Sequence, residues 1–113
     1  MIAPFVLSLA LAQCTITGTS GPDLLIGTRG NDVICGLGGA DLIDGSLGND
    51  VIYGGRGTDR IQGGPGRDIM FGGPGNDSFH AWDRTVDRIA GGLGLDRAWT
   101  DRLDRVTGVE RFG

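Results

Sequence analysis

The stretch GGPGNDSFH (72–80) and the stretch nine residues before it, GGPGRDIMF (63–71), carry the same pattern. Further steps of nine give GGRGTDRIQ, GSLGNDVIY, GLGGADLID, GTRGNDVIC and GTSGPDLLI, so seven contiguous units run from Gly18 to His80 without an insertion. Glycine holds the first and fourth positions of every unit. The sixth is always aspartate: Asp23, Asp32, Asp41, Asp50, Asp59, Asp68 and Asp77. The eighth is always apolar: Leu25, Ile34, Ile43, Ile52, Ile61, Met70 and Phe79. A fixed short period of this kind points to a solenoid before any other fold.

Gly-x-x-Gly-x-Asp suits a tight turn, because glycine takes positive φ without a steric penalty. The three residues that follow, such as Val51-Ile52-Tyr53, are mostly β-branched, aromatic or apolar and suit a short strand. Turn and strand alternating at this period build a coil that stacks on itself at about 4.8 Å per layer. Two units complete one layer, so odd and even units occupy opposite sides and their eighth residues meet in a narrow core. Such a core is thin, and a chain of 113 residues holds one small domain at most. An additional staple or ligand is therefore expected.

Stacking places Asp23, Asp41, Asp59 and Asp77 in one column, with Asp32, Asp50 and Asp68 in the other. Like charges one layer apart repel. Turns rich in glycine also leave backbone carbonyls uncovered. Carboxylates plus carbonyls make an all-oxygen cage, which suits Ca²⁺ with its six to eight flexible ligands. Mg²⁺ wants a rigid octahedron and retains its waters. Zinc has one histidine and two cysteines to draw on, too few for its usual site.

On these residues the units resemble the RTX, or haemolysin-type, calcium-binding nonapeptide repeat. The resemblance covers residues 18 to 80 and implies a parallel β-roll with Ca²⁺ held between turns of units n and n+2. The implied pairs are Asp23/Asp41, Asp32/Asp50, Asp41/Asp59, Asp50/Asp68 and Asp59/Asp77, giving up to about five ions. The implied carbonyl ligands are those of Gly55, Gly57, Gly64, Gly66, Gly73 and Gly75. Units one to four depart from the pattern at the second position, with Thr19, Thr28, Leu37 and Ser46 in place of glycine. Those turns are less free to adopt φ > 0. The sites among Asp50, Asp59, Asp68 and Asp77 rank first, with Arg60 and Arg67 as local charges that weaken them slightly.

Outside the repeats, Thr15-Ile16-Thr17 continues the strand phase, with Ile16 inward, and reads as a capping strand. Downstream the register breaks: Asp77 to Asp87 is a step of ten. GGLGLDRAW (91–99) reads as a late repeat with Asp96 in place and Ala98 inward. The tail spaces Leu103, Val106, Val109 and Phe112 by three, as a helical turn or a last irregular coil would. Trp82, Trp99 and Phe112 read as packing of this cap, and His80 as a surface or cap residue without a partner nucleophile.

The start of the chain is apolar through Ala12, too short to span a bilayer, and Ala10-Leu11-Ala12 offers a signal-peptidase site before Gln13. A buried N-terminal strand and lipoprotein processing at Cys14 are the other readings of this end. In an exported chain Cys14 and Cys35 pair more often than they bind metal; two thiols are the alternative. The expected organisation is a signal peptide over 1–12, a calcium-binding β-roll over 13–80 and an irregular repeat with a C-terminal cap over 81–113. The fold class is all-β, a parallel β-roll solenoid.

The net charge is −4, every basic residue is arginine, and none of them cluster, so nucleic acid is not an expected partner. The carboxylates form a regular ladder and no differentiated acid–base pair, so catalysis is not expected. No glycine string opens a helix after a strand as a nucleotide site requires. The expected function is Ca²⁺ binding by a monomeric, extracellular β-roll whose folding depends on the ion. The alternatives are a repeat module of a larger secreted enzyme or toxin, and a cell-envelope adhesion module with a protein or cell-wall partner.

Overall fold

A computed structural model describes residues 14–101 and 103–112, with side chains through Glu110. The expected signal segment 1–12 and its cleavage point lie outside the described residues. Each repeat contributes one short strand: β2 (Leu24–Ile26), β3 (Val33–Cys35), β4 (Leu42–Asp44), β5 (Val51–Tyr53), β6 (Arg60–Gln62), β7 (Ile69–Phe71) and β8 (Ser78–Ala81). They are preceded by β1 (Ile16–Thr17) and followed by β9 (Arg88–Ala90), β10 (Arg97–Thr100), β11 (Arg105–Thr107) and β12 (Arg111–Phe112). No helix occurs among the described residues.

The odd strands form one six-stranded sheet in the order β1-β3-β5-β7-β9-β11, and the even strands form the other, β12-β10-β8-β6-β4-β2. Every pairing is parallel. Ile34 lies beside Ile52 and Ile52 beside Met70, so neighbours within the repeats are two units apart in sequence. Two units per coil is the arrangement that the nine-residue period predicts. Each sheet edge in the middle is covered by the next coil, which leaves free edges only at the two ends.

The eighth-position residues fill the space between the sheets. Ile34, Ile43, Ile52, Ile61, Met70 and Phe79 are all fully buried, and Ile89 and Ala98 extend the column. Ala98 sits beside Phe79 in register, a small side chain against the largest one in the core. Ile16 and Leu25 at one end, and Val106 and Val109 at the other, are only partly buried and close the column.

At the N-terminal end β1 pairs with β3, and the Thr15 amide donates to the Val33 carbonyl at 2.7 Å. Cys14 and Cys35 form a disulfide, with Cα atoms 6.0 Å apart. It ties the first strand to the second coil across 21 residues. Loop closure of that length stabilises by about 3 kcal/mol. Cys14→Ser is therefore expected to lower the stability of the calcium-bound roll by about that amount in a denaturant melt. An unchanged midpoint would refute the staple.

Beyond His80 the nine-residue period stops, but the coil continues: β8, β10 and β12 lie side by side in one sheet, and β7, β9 and β11 in the other. The extra residue between Asp77 and Asp87 is absorbed in the turn after β8, where Arg84 takes φ 67°. The three-residue spacing of the tail belongs to a last irregular coil and not to a helical turn. Val106 and Val109 face the core, whereas Leu103 is exposed. Trp82 is also a correction: it is 76% exposed and does not pack in a cap. Trp99 stacks on His80 on the outer face of the sheet, ring centroids 4.6 Å apart and planes 4° from parallel. The side chain of Phe112 lies outside the described ones.

Candidate metal centre

The aspartates line the two edges where turns stack, as the columns require. From Asp41 onward the ladder residues are at most 2% exposed, and Asp32 is 6% exposed. One oxygen of each carboxylate is used within the protein. Asp23 N–H donates to Asp41 Oδ1 at 2.9 Å, Asp41 N–H to Asp59 Oδ1 at 3.0 Å, and Asp59 N–H to Asp77 Oδ1 at 2.9 Å. The other column repeats this from Asp32 to Asp50 and from Asp50 to Asp68, each at 2.8 Å. From Asp41 onward each of these carboxylates is thus aimed and held by the coil beneath it.

The second oxygen is where the units differ. Oδ2 of Asp41, Asp50, Asp59, Asp68, Asp77, Asp87 and Asp96 is buried and has no hydrogen-bond partner among the described residues. Such atoms are costly in a folded protein unless a partner is supplied. In units one and two the chain supplies it. The Thr19 amide donates to Asp23 Oδ2 at 2.6 Å, and the Thr28 amide to Asp32 Oδ2 at 2.7 Å. Both threonine hydroxyls sit 3.0 Å from the Oδ1 of the same aspartate. The four second-position departures therefore fall into two kinds. Thr19 and Thr28 cap their aspartates and stay out of positive φ, whereas Leu37 and Ser46 take φ 69° and 70° as a glycine would.

Backbone oxygens converge on the same points. A Cβ built on Gly36 would lie 2.6 Å from Asp41 Oδ2 and 2.5 Å from the Gly54 carbonyl oxygen of the next coil. At Gly45 the same test meets Asp50 Oδ2 at 2.6 Å and Gly63 O at 2.7 Å; at Gly54 it meets Asp59 Oδ2 at 2.7 Å and Gly72 O at 2.9 Å. The first-position glycine is thus a cradle lined by one carboxylate and one carbonyl, and a side chain there would fill it. These first-position carbonyls were not among the candidates that the resemblance implied. The invariant glycine itself was the signal for them.

The expected second- and fourth-position carbonyls also line the turn edge. Gly55 O and Gly73 O each lie 2.8 Å from the Cβ position of the equivalent glycine one coil on, Gly73 and Gly92. Gly57 O faces Gly75, and Gly75 O faces Gly94, in the same way. Gly66 differs: its carbonyl is taken by the Thr85 hydroxyl at 2.6 Å. The ladder itself runs past the repeats. Asp68 N–H donates to Asp87 Oδ1 and Asp77 N–H to Asp96 Oδ1, both at 2.8 Å. Asp87 N–H then donates to Asp104 Oδ1 at 3.0 Å, and Asp96 N–H to Glu110 Oε2 at 2.8 Å. Asp96 was visible as a late repeat, but Asp87 was hidden by its step of ten.

Burial is the main cause that pushes these carboxyls up, opposed by the amide of the preceding coil and reinforced by the charge of neighbouring aspartates. Asp68 is raised to about 8, Asp77 and Asp87 to about 7, and Asp50 and Asp59 to about 6, from an ordinary 3.8. A folded-state value above the unfolded one means that the native chain binds the extra protons. The metal-free roll is therefore expected to be most stable below about pH 4 and to lose stability as pH rises from about 4 through 8. Calcium affinity runs the other way, since protons compete for the same oxygens. The far-ultraviolet β signal followed across pH, with and without calcium, would check both slopes. A metal-free roll that gains stability between pH 6 and 8 would contradict these shifts.

A parallel β-roll of nine-residue units, with a carboxylate ladder along each turn edge, defines a class of repeat module. The particular family follows from comparison. The family described as RTX calcium-binding nonapeptide repeat (4 copies) matches residues 17–52 and 44–79, together more than half of the chain. The chain belongs to this calcium-binding repeat family. Among solved structures it is similar to the AlgE6R3 subunit of the Azotobacter vinelandii mannuronan C5-epimerase, with 34% identity and a TM-score of 0.59. That match covers 73% of this chain and 55% of the epimerase subunit, so the chain spans about half of its length. Among curated proteins nothing matches.

Proposed function

We propose that the chain is an exported calcium-binding β-roll whose folding is coupled to the ion. The observation that carries this reading is the run of buried Oδ2 atoms without hydrogen-bond partners among the described residues, near a carbonyl of the next coil or, at Asp68 and Asp87, near a further carboxylate. Their chemistry fits a hard divalent cation that accepts irregular oxygen cages. Calcium, when bound, supplies the positive charge that the stacked carboxylates lack. The turns hold the oxygens in place, and the burial excludes competing water.

The threonine caps shift the proposed sites along the ladder. Asp23 and Asp32 already have partners for both oxygens, so the pairs Asp23/Asp41 and Asp32/Asp50 are each left with one committed carboxylate. The pairs with both outer oxygens free are Asp41/Asp59, Asp50/Asp68, Asp59/Asp77, Asp68/Asp87 and Asp77/Asp96. Export is supported by the apolar start with its small-x-small site, and by the disulfide, which persists in oxidising compartments.

Isothermal titration of the chain from Gln13 onward tests the reading. Two to five ions per chain are expected, which is an order-of-magnitude count from the free pairs. Asp59→Asn, which touches two of those pairs, is expected to remove more binding than Asp32→Asn. Zero binding would sink the proposal.

A second reading has a specific observation in its favour: the similar solved structure is a subunit of an epimerase. The chain would then be the calcium-binding module of a larger secreted enzyme, contributing folding and positioning instead of chemistry. An in-frame catalytic domain encoded ahead of Met1 would decide for it.

A further inference from the structure

The turn between β8 and β9 does not repeat the cradle seen elsewhere. Ala81 stands where the other units begin with glycine, and one extra residue follows it. At Gly63, the glycine beneath this turn, the three atoms nearest a built Cβ all belong to Asp68, and no carbonyl from the next coil comes as close. A third carboxylate is present instead. Oxygens of Asp68, Asp83 and Asp87 lie within 4.8 Å of one another. Asp68 and Asp87 are 1% and 0% exposed, and the Oδ2 of all three is buried without a hydrogen-bond partner among the described residues.

Asp83 is held there by its own turn. Its Oδ1 accepts the Thr85 amide at 2.9 Å, and its amide donates to the Ala81 carbonyl at 3.1 Å. The Thr85 hydroxyl lies 2.5 Å from Asp83 Oδ1 and 2.6 Å from Gly66 O, so it bridges the turn to the coil beneath. One oxygen of Asp83 is fixed and the other is left for a ligand.

We propose that Asp68, Asp83 and Asp87 form one three-carboxylate cation site, different in make-up from the repeat rungs, which fills with Ca²⁺ first and also takes trivalent lanthanides. It rests on the calcium reading of the repeats and adds to it a chain-specific site. Two carboxylates neutralise a divalent ion. Three crowded ones repel each other more strongly without a cation and attract it more strongly. Affinity at oxygen sites rises with the number of charged ligands and with site rigidity, and this site gains on both counts.

Terbium is the natural probe, because Trp82 adjoins Asp83 in sequence and can sensitise its emission. The first equivalent of Tb³⁺ added to the calcium-free chain is expected to emit through tryptophan excitation, and Trp82→Phe to remove most of that emission while leaving the Ca²⁺ affinity unchanged. Asp83→Asn is expected to weaken the tightest Ca²⁺ step by about tenfold and to abolish the first Tb³⁺ step. Thr85→Val keeps all three carboxylates but removes the prop, so a weakening of several-fold, about what a lost supporting contact costs, is expected in a variant whose charges are intact.

Asp83→Asn and Thr85→Val that both leave the tightest step unchanged would overturn the site, as would a first Tb³⁺ step that persists in Asp83→Asn. If the intact chain takes up no Ca²⁺ at all, the repeat-site reading and the calcium part of this proposal fail together. Ca²⁺ uptake that persists at the repeats while Asp83→Asn leaves the tightest step unchanged would sink this site alone.

Discussion

In chelator the roll is expected to lose most of its far-ultraviolet β signal, and to regain it on addition of millimolar calcium. The core is one side chain wide, from Ile34 to Ala98, and the disulfide staples only the first coils. Against this small apolar reserve stand seven buried Oδ2 atoms of the two ladders, each unpartnered among the described residues. At roughly 1 mM free Ca²⁺ and a Kd near 10⁻⁴ M, each site adds about 1.4 kcal/mol to the folded state. Five such sites give about 7 kcal/mol, comparable to the whole stability of a small domain, about 5–15 kcal/mol. The melting temperature should therefore climb steadily with calcium concentration. Residual hydrogen-exchange protection in chelator is expected between Cys14 and Cys35, where threonines and the disulfide do what the ion does elsewhere. A β signal and melting temperature indifferent to chelator would show that burial and backbone pairing alone suffice.

The other large expected effect separates the two glycine positions that every unit of the repeat shares. Gly54→Ala would place a methyl group 2.7 Å from Asp59 Oδ2, 2.9 Å from Gly72 O and 3.0 Å from Ile61 Cδ1. It both overpacks the coil and occupies the space where the oxygens converge. A loss of about 1–3 kcal/mol from overpacking is expected, with further loss through weakened calcium binding. Gly21→Ala is the contrast. Its Cβ would meet nothing closer than Thr19 Oγ1 at 3.9 Å, and Gly21 does not use positive φ. Alanine there is expected to be neutral or to stabilise by about 0.4–1 kcal/mol, by restricting the unfolded chain. Paired melts and calcium titrations of the two variants check this. Equal effects would mean that the cradle geometry is not what keeps glycine at the first position.

Both ladders were legible because their cause is periodic. Asp at the sixth place of every unit and an apolar residue at the eighth can satisfy stacking in only one register, and Ile34, Ile52 and Met70 lie side by side as that register requires. What the period could not show was local. Thr19 and Thr28 look like the same departure as Leu37 and Ser46, yet the first two answer their aspartates and the second two bend into positive φ. Choosing between those outcomes depends on hydroxyl reach within one turn, which a pattern of residue types does not encode.

The sequence by itself determined the coil: its period, which residues face inward, which carboxylates share a column, and the all-oxygen chemistry they favour. These follow from covalent spacing and the two-faced geometry of a strand. Only the tertiary structure decided where the ladder ends and how it is plugged. Asp87 joins Asp68 across a step of nineteen residues because the turn after β8 absorbs one extra residue, and Asp83 reaches the same point from within that turn. Contacts between chain segments that no longer share a period are set by how the coils stack in space, so the position of a residue along the chain cannot reveal them.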